Sequence, residues 1–129
     1  MNTSANYLKI AEILARHLVR EHEGLIHSIV LFGSVARGES TEESDIDLLV
    51  VGEFPLSVKQ QIQSIRFDYG LEHEVYIQLM FYRTSDLEDQ MRMRSWLAID
   101  IANEGFTLHD DGTYERLHRE FAGALAAVS

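Results

Sequence analysis

The chain has 129 residues, 46% hydrophobic and 25% charged, with no cysteine and a net charge of −10 from 21 acidic and 11 basic side chains. This length suits one domain that buries about two-thirds of its unfolded surface. The missing cysteine excludes disulfides and thiolate metal sites, and no apolar run is long enough to span a bilayer. An acidic balance with scattered arginines argues against a partner gripped through a nucleic-acid backbone. The opening Met1-Asn2-Thr3-Ser4-Ala5-Asn6 lacks a signal-peptide pattern, so the expected location is cytoplasmic.

Apolar residues recur at Tyr7, Ile10, Ile13, Leu14 and Leu18 with helical spacing, which predicts a helix over 4–23 with Ser4 as N-cap and Gly24 as stop. Leu25–Phe32 and Asp45–Val51 are apolar and β-branched and read as strands. Pro55 opens a predicted helix through Tyr69, closed by Gly70. Glu74–Tyr82 alternates as a third strand. Ser85 caps a long helix towards Asn103, stopped by Gly105. Phe106–Leu108 reads as a short extended piece and 113–127 as a final helix. The order predicts an α+β (α/β) fold, a small mixed sheet backed by helices.

The most informative stretch runs from Leu31 to Val50. An apolar strand leads into Gly33-Ser34, a polar loop follows, and the next strand opens with Asp45-Ile46-Asp47. Side chains two apart on a strand share a face, so Asp45 and Asp47 project together. Two adjacent carboxylates repel unless a cation lies between them, which suggests a divalent metal site. A Gly-Ser turn brings backbone N–H groups and a hydroxyl close to a phosphate. Metal and phosphate together point to nucleotide chemistry. The bland alternative for the pair is a solvated cap at a strand start.

Gly33-Ser34, ten residues, then Asp45-x-Asp47 resembles the signature of the DNA polymerase β-like nucleotidyltransferase superfamily. Ala36-Arg37-Gly38 and Ser44-Asp45-Ile46-Asp47-Leu48 resemble its minimal (MNT) branch, and Ile101–Leu108 resembles the closing segment of such domains. The resemblance implies a single minimal nucleotidyltransferase domain over 1–129, with its catalytic core at about 25–110. It further implies two Mg²⁺ ions on Asp45 and Asp47, ATP as donor, and Gly33 and Ser34 against the β and γ phosphates. A third carboxylate is expected on the next strand, for which Glu74 is the choice. Glu72 competes, and Tyr76 or Gln78 also lie on that face. Arg37 reaches either a phosphate or a partner's carboxylate, or else pairs with Glu39, Glu42 or Glu43. Ser44 lies beside the nucleotide or caps the turn that orients Asp45. His73 is the histidine nearest the presumed site, without zinc-ligand spacing. Met91, Met93 and Trp96 read as core or interface.

The function implied by the resemblance is transfer of AMP to a hydroxyl, a tyrosine by family precedent, of a HEPN-type toxin ribonuclease, with this chain as antitoxin in a hetero-oligomer. The acidic charge fits a basic protein partner. Two alternatives remain open. In one, the chain is a binding module that neutralises its partner by occlusion. In the other, a nucleotide is transferred to a small molecule.

Overall fold

Two strands of almost uninterrupted apolar sequence form the centre of the molecule. The computed structural model describes residues 3–126, in the order α1 (Thr3–Glu21), β1 (Ile26–Phe32), α2 (Gly33–Ala36), β2 (Ile46–Gly52), α3 (Leu56–His73), β3 (Ile77–Tyr82), α4 (Thr84–Arg92), α5 (Trp96–Glu104), β4 (Phe106–Asp110) and α6 (Thr113–Ala126). The sheet order is β3-β2-β1-β4. β1 runs antiparallel to both β2 and β4, while β2 and β3 are parallel. This is the mixed sheet with helices expected from the pattern.

Both faces of the sheet are covered, which is why β1 and β2 do not alternate apolar with polar. Ile29 and Leu31 of β1, with Ile46, Leu48 and Val50 of β2, pack against Leu14 and Leu18 of α1 and Ile62 of α3. Val30 and Phe32, with Leu49 and Val51, pack against Leu87 and Met91 of α4, Leu97 and Ile101 of α5, and Leu117 of α6. Asp47 shares the parity of Leu49 and Val51, so it lies on the α4–α6 side. The register sets Phe32 across from Asp47 on one side and Gln78 across from it on the other.

Several boundaries differ from the sequence expectation. Helix α3 does not close at Gly70 but continues to His73, and Glu74 takes the left-handed cap with φ 53° and ψ 45°. A Cβ at position 70 would lie 2.9 Å from the Val75 carbonyl oxygen; glycine there lets the chain leaving the helix fold back across it rather than ending it. Consequently β3 starts at Ile77, and Glu74 is not a strand residue. The predicted long helix from Ser85 to Asn103 is two helices. Arg94 between them is left-handed at φ 54°, and the Ser95 hydroxyl accepts from the Ala98 N–H at 3.2 Å, starting α5 afresh. The stretch at Phe106 is longer than expected and forms edge strand β4. Of the predicted final helix, Ala127 lies outside the described residues.

Candidate active site

The Gly33-Ser34 segment is a one-turn helix rather than an open turn. Phe32 is still extended at φ −140° and ψ −175°, and α2 begins at once with Gly33. Gly33 adopts φ +78°, and a Cβ built on it would stand 2.5 Å from Oδ2 of Asp47. Glycine is therefore demanded twice, by the left-handed backbone and by the carboxylate lying over the start of α2. Val35 of the same turn is buried and anchors the helix to the core.

Asp47 is half-buried, and its carboxyl is pushed up to about 6. Burial is the main cause, and the charges of Asp45 and then Asp100 add to it; Arg37 opposes them. Asp45 is exposed just before β2, whose first N–H, on Ile46, donates to the Tyr76 carbonyl at 2.9 Å. A half-buried carboxylate crowded by two like charges holds its proton more tightly than usual unless a cation takes the proton's place. Among the described residues no group of three or more His, Asp or Glu is arranged to hold a metal ion. Two carboxylates nevertheless suit Mg²⁺, which commonly takes one or two protein carboxylates and completes its shell with water and substrate phosphate oxygens.

Arg37 follows α2 and reaches α5. Its Nη1 donates to Glu104 Oε2 at 3.1 Å and lies 3.8 Å from Asp100 Oδ1, while its Nε donates to Glu39 Oε2 at 3.2 Å. Of the loop acids Glu39, Glu42 and Glu43, Glu39 is the one that pairs with it among the described residues; the other partners, Asp100 and Glu104, come from α5, far along the chain. Asp100 is itself raised, by burial first and by the neighbouring Glu104. Neither acid stands out in the sequence as a site residue. The available signal was Asp100 itself, a lone charge inside the apolar run Trp96-Leu-Ala-Ile-Asp-Ile-Ala102.

The remaining predicted residues fall around this centre or away from it. Ser34 occupies the second position of α2. Ser44 closes the loop ahead of β2, its hydroxyl accepting from the Thr41 N–H at 2.9 Å and its own N–H donating to the Thr41 carbonyl at 3.0 Å. Glu74 is exposed on the α3 cap, and Glu72 is exposed within α3. The β3 residue directly beside Asp47 is Gln78, so no acid occupies that register position. His73 ends α3, stacked at an angle on Tyr69 with ring centroids 6.1 Å apart.

A carboxylate pair at a strand start, one member of which (Asp47) lies over a glycine-led turn of helix on a mixed sheet, is the candidate active site. The nucleotidyltransferase domain family matches residues 11–109, and the chain belongs to that family. A protein of Methanocaldococcus jannaschii provisionally named protein adenylyltransferase is 44% identical over 57 residues, which is 43% of this chain and 58% of that relative's length. The chain thus matches less than two-thirds of the relative. Solved structures share the fold, two among them as follows. One is a toxin–antitoxin crystal structure with AMP-PNP, at a TM-score of 0.59 and 16% identity, covering 91% of this chain and 88% of that one. The other is a tri-AMPylated HEPN toxin in complex with its MNT antitoxin from Shewanella oneidensis, at 0.53 and 13%, covering 93% and 87%. No helix among the described residues is long and apolar enough to cross a membrane.

Proposed function

We propose that this chain transfers AMP from ATP to a hydroxyl of a partner protein, with a HEPN-type ribonuclease as partner and silencing of that ribonuclease as the outcome. The observation that carries the reading is the contact of Asp47 with the first residue of α2. It brings Asp47, one of two neighbouring carboxylates, beside backbone N–H groups of the kind that suit a polyphosphate, which supports the reading. Asp45 and Asp47 would hold Mg²⁺, which when bound neutralises phosphate charge and polarises the phosphoryl oxygens. Gly33 lets the triphosphate approach the backbone, Ser34 offers a hydroxyl to it, and Ser44 fixes the loop from which Asp45 projects. The acceptor oxygen bonds to the α-phosphorus, the α–β bridging bond breaks, and pyrophosphate leaves while the hydroxyl proton passes to solvent or a nearby base. The surplus of acid on the chain suits a basic acceptor protein.

A second reading, neutralisation by occlusion, is favoured by one observation. Gln78 stands where an acid on β3 would complete the carboxylate set. The two readings separate in one assay, with purified chain, Mg²⁺, α-labelled ATP and the product of the neighbouring gene as trial acceptor. Label on the partner that disappears in Asp45→Asn/Asp47→Asn supports transfer. A stable, silenced and unlabelled complex supports occlusion.

A further inference from the structure

Helix α5 turns one exposed face towards the nucleotide site. Trp96, Asp100 and Asn103 follow at intervals of four and three and so stack on one face, and with Ile99 and Glu104 they line an open groove of about 560 Å³. The near end of this groove is already tied to the site, because Asp100 and Glu104 hold Arg37 at the end of α2. Asp47 also projects to the α4–α6 side of the sheet. Trp96, the only tryptophan in the chain, lies one helical turn from Asp100, a rise of about 5–6 Å, and is 71% exposed. This exposed indole forms part of the wall of a largely apolar groove that has acids at its rim, a surface on which a flat ring can stack.

We infer that this face of α5 holds the base of the donor nucleotide, stacked on Trp96, and that its rim selects bases with an exocyclic amino group. The inference rests on the nucleotidyltransferase reading and adds to it the residues that recognise the base. Selection at the rim is a matter of donors and acceptors. Asp100 and Glu104 only accept when ionised, and Asn103 offers a carbonyl as well as its amide. Adenine, guanine and cytosine each bring an amino donor to such a rim. Uracil has no exocyclic amino group; its one edge donor, N3–H, is flanked by two carbonyl oxygens that the carboxylates repel. Stacking itself is indifferent to the base, since every base has a π-face.

The test uses the intact chain and its own tryptophan as reporter, with calorimetry as an independent measure of binding, and with Mg²⁺ plus ATP, UTP or tripolyphosphate as probes. ATP is expected to change Trp96 emission, while tripolyphosphate binds without doing so. Trp96→Ala should weaken ATP by about tenfold and leave tripolyphosphate unchanged, and Trp96→Phe should restore most of the loss. UTP should bind roughly tenfold more weakly than ATP. ATP that binds by calorimetry with silent Trp96 emission, or with full affinity in Trp96→Ala, overturns the inference while leaving the transferase reading intact. Emission that moves only on addition of the partner protein also overturns it, in favour of a protein contact at Trp96. UTP binding as tightly as ATP overturns the selection by the rim. If neither ATP nor tripolyphosphate binds, the nucleotide site itself falls and the inference with it.

Discussion

Oδ2 of Asp47 lies where a side chain on Gly33 would have to be, 2.5 Å from the position of its Cβ. Gly33→Ala therefore meets two penalties. The left-handed backbone at φ +78° costs a residue with a Cβ about 1–3 kcal/mol, and the methyl group drives the carboxylate off the start of α2. Urea denaturation should show a loss in that range. Transfer should fall further, by roughly a hundredfold, because displacing a catalytic group by about 1 Å has that effect. Wild-type stability together with wild-type transfer in this variant would show that the closeness of Asp47 to Gly33 matters to neither fold nor transfer.

The raised carboxyl of Asp47 fixes the sign of a pH effect. Its usual value is 3.8 and the folded value is about 6, so between these pH values the unfolded chain releases the proton first and stability is lost as pH rises. Below about 4 the effect is absent; above about 6 it is complete. Asp47→Asn should therefore raise the melting temperature of the chelator-treated protein at pH 7–8, with the gain disappearing near pH 4. Mg²⁺ should reverse the order at neutral pH by stabilising only the wild type. Parallel melting curves of the two proteins from pH 4 to pH 8 would rule out the assigned electrostatics.

The strands and the aspartate pair were legible because each rests on local pattern. Ile29–Phe32 and Ile46–Val51 are apolar runs, and the period of two alone brings Asp45 and Asp47 into phase. What was not legible depends on contacts distant in sequence. Gly70 reads as a helix stop, yet its missing side chain accommodates the Val75 carbonyl, and the left-handed turn passes to Glu74. The α4–α5 break at Arg94 and Ser95 lay inside what reads as one amphipathic helix, so the start of α5, and with it the exposed position of Trp96, was hidden. Asp100 and Glu104 meet Arg37 only through the packing of α5 beside α2. No pattern near residue 37 announces them.

Arg37 should matter to the ligand and little to the fold. Its ion pairs with Glu39, Asp100 and Glu104 are at the surface, and exposed pairs contribute little to stability. Without it, however, two acids of α5 face an incoming polyphosphate uncompensated. Arg37→Ala should melt like the wild type but bind Mg²⁺-ATP several-fold more weakly, with the difference shrinking as salt is added. Arg37→Lys should recover only part of the loss, since an ammonium cannot span Glu39 and Glu104 as the planar guanidinium does. Calorimetric titration at low and high ionic strength reads both effects. An unchanged affinity in Arg37→Ala would confine the residue to surface pairing.

Glu74 and Gln78 give a decisive pair of substitutions. Glu74 sits in the left-handed region at φ 53°, where a residue with a Cβ pays about 1 kcal/mol relative to glycine. Glu74→Gly should therefore stabilise the chain by roughly that amount, and because the residue is on an exposed helix cap, transfer should stay within about twofold, well under the 1.4 kcal/mol that a tenfold change represents. A large loss of transfer in Glu74→Gly and in Glu74→Gln alike would make Glu74 the third carboxylate after all and require the α3 cap to rearrange when nucleotide binds. Gln78→Glu tests the other position. A third acid beside Asp47 adds like charge to a site that already resists ionisation, so the metal-free protein should melt lower and gain more from Mg²⁺ than the wild type does. If the added acid leaves both values unchanged, the side chain at 78 does not reach the aspartates, and the weight that Gln78 lends to occlusion goes with it.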